Sequence, residues 1–411
     1  MTLSRRTVVT ALGLTAVSGG LTAVSGALPV TTPAAADSRP ADGGLQAGGW
    51  LQADVDAVAA TGPVGVLARV TTPHGTRTAR AGTAVLGTDR PVPWRSRMRV
   101  GSTTKAFTAT VVLQLVGEGR LSLDDTVERR LPGLITGNGN DGRAITVRHL
   151  LQHTSGLYDY PEDAAGMPQL RTAEAFRTHR FRTYSAAELI AIALRHPPEF
   201  PPGTAFNYSN TGYQVLSLII EKVTGESWEQ QVTRRIIRPL GLRGTTAPGT
   251  DPLIHGPHPR GYRPFPDEPG LVDVTDCDQT FGGAAGALIA TLADVNSFFA
   301  ALQRGDLLRP AEQAEMHRTV PTAGDVAEAW PGSRYGLGLM WTPSPDGGYW
   351  GHHGDTFGFH TRAATTLDGR RAFTLVWTGP GDEATDAAAN TLAAHALTAE
   401  RGDGDGPERG Q

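Results

Sequence analysis

The spacing of apolar and polar positions divides the chain into three stretches. Leu51 to Ala60 reads as a helix, and Val64 to Val70 alternates apolar with small residues. Arg77 to Val85 follows across a His74-Gly75 turn, so these two segments read as a hairpin. From Phe107 the pattern becomes helical. Phe107, Val111 and Leu115 form an i, i+4 stripe with Thr110, Gln114 and Glu118 opposite, and Gly117 and Gly119 end the run. Further helices are predicted over 146–152 with Thr146 as cap, from a Ser185-Ala186-Ala187-Glu188 capping box to Leu194, and over 213–223 and 228–237. The Pro- and Gly-rich stretch 248–270 reads as a long loop. A helix over 292–303 then precedes strands at 335–341, 347–351, 358–366 and 372–377, with an Asp368-Gly369 turn before the last. A final helix covers 385–399.

A hairpin before the middle helices and a strand meander after them predict an α/β (α+β) fold. One antiparallel sheet is built from both chain ends and flanked by helices, with a mainly helical insertion. The expected boundaries are 50–125 and 286–400 for the sheet unit and 126–285 for the insertion, with a cleft where they meet. Composition agrees with a globular protein: 411 residues, 39% hydrophobic and 19% charged. A formal net charge of -4 and the lack of basic runs after the N-terminus argue against a nucleic-acid partner.

Residues 1–36 read as a bacterial export signal. Arg5 and Arg6 precede an apolar stretch from Val8 to Val17, and Ala34-Ala35-Ala36 offers a small-residue cleavage site. The arginine pair points to the twin-arginine route and the signal to a secreted, extracellular protein. The apolar run is too short for a membrane span, which needs about 20 residues, and no later stretch is long enough. Residues 37–49 read as a flexible leader and 401–411 as a disordered tail. The sole cysteine, Cys277, excludes an internal disulfide and reads as a packed or idle thiol.

Three short motifs carry candidate chemistry. Ser102 and Lys105 lie three residues apart at a predicted helix start, which puts both on one face. A serine hydroxyl becomes a nucleophile when a neighbouring amine of depressed pKa takes its proton. Taken alone, the pair reads as an N-cap and a solvated first-turn lysine, since Ser-x-x-Lys is common. Tyr208 and Asn210 sit between Pro201-Pro202-Gly203 and the next helix. A tyrosine near two cations can act as a phenolate base and an asparagine amide can orient a lysine; taken alone, they read as a packed ring and a cap. His352, His353, Gly354 and Asp355 end a predicted strand, where a cationic or hydrogen-bonding residue beside glycine suits an edge that grips a substrate backbone. Adjacent strand residues face opposite ways, so the histidine pair does not read as a metal site.

The order Ser-x-x-Lys, Tyr-x-Asn, His-x-Gly resembles the serine β-lactamase-like hydrolases whose second motif carries tyrosine. Within them it is most similar to the secreted actinomycete D-alanyl-D-alanine carboxypeptidases, over about 51–399. Further stretches carry the likeness: Leu131-Pro132-Gly133-Leu134, Ser155-Gly156-Leu157-Tyr158-Asp159-Tyr160 and Tyr335-Gly336-Leu337-Gly338-Leu339 among them. The resemblance implies a β-lactamase/transpeptidase-like fold and an acyl-enzyme on Ser102, with Lys105 and Tyr208 sharing the proton work. It implies that Asn210 contacts Lys105 and substrate, and that His352 stands in for the lysine of Lys-Thr-Gly. Backbone N–H groups of Ser102 and Asp355 form the oxyanion hole, and His353, Gly354 and Phe281 join the substrate contacts. It implies no metal or cofactor, a small peptide, ester or β-lactam substrate, and a monomer.

Two departures from the carboxypeptidase pattern bear on substrate. Met340-Trp341-Thr342 stand where arginines receive the substrate's carboxylate, and Asp355 stands where threonine follows the glycine. Arg362 is the one candidate substitute. Asp355 therefore reads either as favouring a neutral ester, an amide or a substrate amine, or as a solvent-facing residue of which only the backbone matters. The sequence-level expectation is a carboxypeptidase-like peptidase on cell-wall-type peptides. Esterase, β-lactamase or D-amino-acid amidase or aminopeptidase activity remain alternatives, as does a non-catalytic penicillin-binding protein.

Overall fold

The computed structural model describes Leu45–Gln46, residues 49–345 and residues 347–398. The expected export signal and the tail lie outside these residues. Within the expected leader, Leu45–Gln46 pairs in parallel with Arg77 and Thr78.

Among the described residues the main sheet has ten strands. Across it run Leu45–Gln46, Gly75–Gly82, Gly65–Thr72, Ala372–Thr378, Phe359–Thr366, Tyr349–Gly351, Met340–Thr342, Arg334–Tyr335 and Val320–Pro321, with Gly354–Thr356 also on Phe359–Thr366. The first hairpin and the last strands meet in the middle, where Gly65–Thr72 pairs antiparallel with Ala372–Thr378. The two chain ends thus share one sheet, as the pattern predicted. Trp50–Ala59 and Glu383–Leu397 pack on it through Leu51, Val55, Leu392 and Ala396. Leu292–Gln303 packs against the central strands, and its Asn296 amide reaches the carbonyls of Arg69 and Ala372.

Arg97–Arg99 pairs with Ile289–Thr291, so the chain enters and leaves the helical stretch side by side. Between them, Thr104–Gly117 is the helix around which the rest packs. The i, i+4 stripe predicted one wet face; instead Thr104 to Leu113 are buried without a break. The threonines that made this helix look amphipathic are satisfied internally. Thr110 donates to the Ala106 carbonyl at 2.8 Å, and Thr108 donates to Ala284 O at 2.7 Å while accepting from Trp228 Nε1 at 2.8 Å. A helix buried all round needs no polar face once its hydroxyls are paired.

Three predicted elements differ in detail. The single strand expected over 335–341 is a tight hairpin. Arg334 faces Trp341 and Tyr335 faces Met340, and the turn between them uses Gly338 at φ +78°. The 248–270 loop contains strand Tyr262–Phe265, paired with Glu268–Asp273; Pro264 is tolerated because a two-stranded ribbon leaves donors unpaired. Ser185 caps its helix by accepting from Glu188 N, but the Glu188 carboxylate turns to Arg182 rather than closing the box.

Candidate active site

Ser102 lies in a single 3₁₀ turn, Gly101–Thr103, that leads into Thr104–Gly117. Gly101 takes φ +52°, a conformation that strains any residue with a Cβ, and a Cβ there would meet Asp355 N at 2.8 Å. On the facing strand, a Cβ on Gly354 would meet Val100 O at 2.0 Å and Ser102 N at 2.9 Å. These two glycines bring the backbone of Gly354-Asp355 directly against that of Gly101-Ser102. The expected oxyanion-hole donors, Ser102 N and Asp355 N, therefore belong to two backbones in contact, one of them at the open N-terminus of a helix.

Lys105 is fully buried one turn on. Its Nζ has three partners: Ser102 Oγ at 3.0 Å, Asn210 Oδ1 at 2.7 Å and the Ala285 carbonyl at 2.9 Å. Burial lowers its pKa far below the ordinary lysine value, and Asp159 opposes that shift. Tyr208 lies over Nζ, ring centroid at 4.8 Å. Its hydroxyl is buried with no hydrogen-bond partner; burial raises it well above 10, and the approach to Ser102 offsets part of that. The phenolate expected from two neighbouring cations is therefore not favoured. One of the two expected cations is missing, because burial and Lys105 lower His352 to about 3.

His352 is held on both nitrogens. Its Nδ1 lies 2.5 Å from the His353 carbonyl, which only accepts, so Nδ1 carries the proton and Nε2 accepts from Tyr335 Oη at 2.8 Å. It meets the expectation of a hydrogen-bonding residue but not that of a cation. The histidine pair lies between strands Tyr349–Gly351 and Gly354–Thr356 rather than within one, and the two rings have different neighbours. His353 is buried and stacks on Trp330 at 4.4 Å, with neither ring nitrogen partnered. Phe281 precedes the Gly283–Gly286 turn whose Ala285 carbonyl receives Lys105, and its half-buried ring packs edge-on against Phe357. Cys277 is buried, and its thiol lies within 3.5 Å of Val274 O, in keeping with a packed thiol.

Asp355 is half exposed, but its carboxylate is paired with His360 and Arg362 rather than simply facing solvent. Desolvation would raise it, but Arg362 and His360 outweigh that and hold it well below the usual carboxylate range. Arg362 approaches it at 3.1 Å and Asp386 at 2.7 Å, and is itself buried. Arg362 is thus committed to two carboxylates, and as a substitute receiver for a substrate carboxylate the expectation fails.

Two residues in the site were not anticipated as members of it. Asp159 is buried and accepts from Asn210 N at 2.7 Å, Thr211 N at 3.3 Å and Asn210 Nδ2 at 2.8 Å. It lies in the Ser155 to Tyr160 stretch already noted for its resemblance, the one available signal. His153 is buried at φ +59°; its Nδ1 accepts from Ser209 N at 3.1 Å and its ring lies 4.2 Å from Tyr208. Nothing in its local sequence announces this.

Comparison with known proteins places the chain among relatives of one family and fold. The family model described as Beta-lactamase matches residues 51–398. Penicillin-binding protein 4 of Amycolatopsis lactamdurans is 31% identical over 212 residues, covering 52% of this chain and 52% of that protein; the match spans about half of the relative's length. A D-stereospecific amidohydrolase from Streptomyces sp. is 39% identical with a TM-score of 0.76, over 82% of this chain and 97% of that one. A D-amino acid amidase from Ochrobactrum anthropi SV3 is 25% identical with a TM-score of 0.71, over 84% and 96%.

Proposed function

The chain belongs to the Beta-lactamase family and is a serine hydrolase, and from that premise we propose that it hydrolyses amides of D-amino acids through an acyl-enzyme on Ser102. The observation that carries this choice over a carboxypeptidase is the commitment of Arg362 to Asp355 and Asp386. A substrate's free carboxylate near Asp355 meets an anion whose neighbouring cation is already balanced. A neutral amide carries no such charge. The likeness to a D-stereospecific amidohydrolase and a D-amino acid amidase supports the same reading.

In this reading Lys105, in its neutral form, accepts the Ser102 proton. An NH₂ group has two donors and one lone pair. The acceptors Asn210 Oδ1 and Ala285 O take the donors, which leaves the lone pair facing Ser102 Oγ. Ser102 Oγ then attacks the amide carbon, and the carbonyl electron pair moves to the oxygen beside Ser102 N and Asp355 N. Collapse expels ammonia, protonated from Lys105 through the neutral Tyr208 hydroxyl, whose ring lies over Nζ and which has no resting partner. Water repeats the sequence on the ester and frees the D-amino acid. His352, His353 and Phe281 shape the surrounding wall. Residues 1–36 carry the paired arginines and cleavage pattern of an exported protein, so we place the reaction outside the cytoplasm.

The test gives the purified protein a D-amino acid amide, its L enantiomer, and an acyl-D-Ala-D-Ala peptide with a free carboxylate. The D-amide is expected to turn over fastest, and Ser102→Ala to remove the activity. Preference for the free-carboxylate peptide would overturn the amidase reading in favour of the carboxypeptidase, and activity surviving Ser102→Ala would overturn both.

A further inference from the structure

We infer that Asp159 is a positioning residue of this hydrolase: it fixes which way the Asn210 amide faces, and so decides that the Lys105 lone pair points at Ser102. This rests on the serine-lysine reading above. Asn210 presents an acceptor on one side and a donor on the other, and the two are nearly isosteric. Burial raises the Asp159 carboxyl to about 7, while the Asn210 donors and Lys105 favour its ionised form; ionised, its Oδ2, 2.8 Å from one side of the amide, only accepts, so that side is Nδ2. The other side is then Oδ1, and it faces Lys105 at 2.7 Å. Asp159 Oδ1 accepts from the backbone N–H groups of Asn210 and Thr211, at the first turn of Asn210–Thr224. All three contacts are donors, which suits the ionised carboxylate and locks it to the backbone that carries Asn210.

The consequence for Lys105 follows from counting. With Asn210 Oδ1 and Ala285 O both accepting, neutral Lys105 has its lone pair left for the Ser102 proton. Were the amide reversed, Nδ2 would compete for that lone pair, and Ser102 would face an amine donor. Asp159 also supplies a buried negative charge that balances the ammonium formed when Lys105 takes the proton. Around Lys105 the other titratable groups are His153, His352, Tyr208 and Tyr213; both histidines have pKa values lowered by burial and the tyrosines have theirs raised, so at neutral pH these four carry no charge. Around Asp159 they are Lys105, Tyr160, Tyr208 and Glu162.

The experiment follows acylation of Ser102 by p-nitrophenyl acetate across pH, in the wild type, Asp159→Asn and Asp159→Glu, with folding checked by thermal melting. This probe reads serine reactivity whatever the natural amide is. If the wild type is not acylated, the serine-lysine reading fails; the present inference is judged on the variants' departure from an acylated wild type. Asp159→Asn offers an amide in place of an acceptor-only group. It is expected to acylate about 10²-fold more slowly, the cost of a misplaced catalytic group. Its acid limb is expected to move to lower pH, because removing the anion makes Lys105 lose its proton more readily. Asp159→Glu keeps the charge, so its limb should stay with the wild type while the rate falls less. An unshifted limb in Asp159→Asn, or the same limb shift in both variants, would mean that Asp159 serves packing alone. Should Asp159→Asn fail to fold, the glutamate variant decides: a limb displaced to lower pH despite the retained charge overturns the inference.

Discussion

On the helical wall of the site, Lys105, Asn210 and Asp159 engage one another through matched donors and acceptors at 2.7 and 2.8 Å, and Lys105 reaches Ser102 at 3.0 Å. On the sheet-edge wall, His353, Trp330 and Arg362 leave four nitrogens buried without partners: both of His353, Nε1 of Trp330 and Nε of Arg362. The contrast extends to the backbone. The helical wall is held by Asn210–Thr224 and the buried Thr104–Gly117. The sheet edge thins to two-residue strands, and the segment above it, Gly324–Ala329, buries no side chain. Proton transfer needs fixed geometry, and substrate choice tolerates adjustment; the two demands fall on opposite walls. The helical wall has its own unpartnered groups, chiefly the Tyr208 hydroxyl, and that one is aimed at the reacting serine.

The sharpest way to break the contrast is at the point where the walls touch. Gly354→Ala places a methyl 2.0 Å from Val100 O and 2.9 Å from Ser102 N, both backbone atoms that cannot swing aside. The strand must retreat and take Asp355 N with it. Loss of one oxyanion donor costs about 10²–10³ in kcat. Steady-state kinetics on an activated ester should show that loss with KM little changed; a variant within threefold of wild type would place the oxyanion elsewhere.

The next effect belongs to the rigid wall alone. Lys105 must be neutral to take the Ser102 proton, and burial has lowered its pKa far below 10.5. Activity therefore falls as pH drops through the lowered value, and persists at neutral pH, where an exposed lysine would be almost wholly protonated. A kcat/KM profile whose acid limb lies near 10 would remove Lys105 as the base.

The same division explains what could be read from the sequence. Ser102, Lys105, Tyr208, Asn210 and His352 were legible because each sits in a short motif whose chemistry is written in residue type and spacing. Asp159 was not, because its work is done across 51 residues on Asn210. Arg362 stood as the candidate carboxylate receiver because its partner Asp386 lies 24 residues on, on a helix that meets it only in the fold. The fold shows the same limit. The sheet from both ends was legible from strand periods, whereas the hairpin within 334–342 depended on one glycine taking a positive φ, which period alone does not signal. The buried helix was misread for a physical reason: its threonines satisfy themselves internally, so polarity did not mark the wet side.

A smaller effect is expected at Asp355, on the adaptable wall. Asp355→Asn leaves Arg362 with Asp386 as its carboxylate partner and lightens the negative charge at the mouth. An ion pair with one half-exposed partner is worth up to about 1 kcal/mol, or roughly fivefold. The ratio of kcat/KM for a free-carboxylate peptide over its amide should rise by about that factor. A ratio that falls would show that the carboxylate of Asp355 does not face substrate.

The smallest effect is expected at Trp330, and it tests whether the sheet-edge wall is adaptable at all. Trp330→Ala removes a stack on His353 at 4.4 Å, a contact of a kind worth about 0.5–1.5 kcal/mol. It also admits water to the His353 nitrogens, now buried without partners, and relief of such burial is worth a similar amount in the opposite direction. The two nearly cancel, so the melting temperature should move by only a few degrees. Acylation of Ser102 should be little affected, since Trp330 touches none of the groups that hold Lys105. What should change is access. His353 should become reactive to diethylpyrocarbonate, and KM should shift among amides of different size while kcat holds. A large loss of kcat or of folding in this variant would mean that the sheet edge is as rigidly required as the helical wall, and that the division of labour between them is wrong.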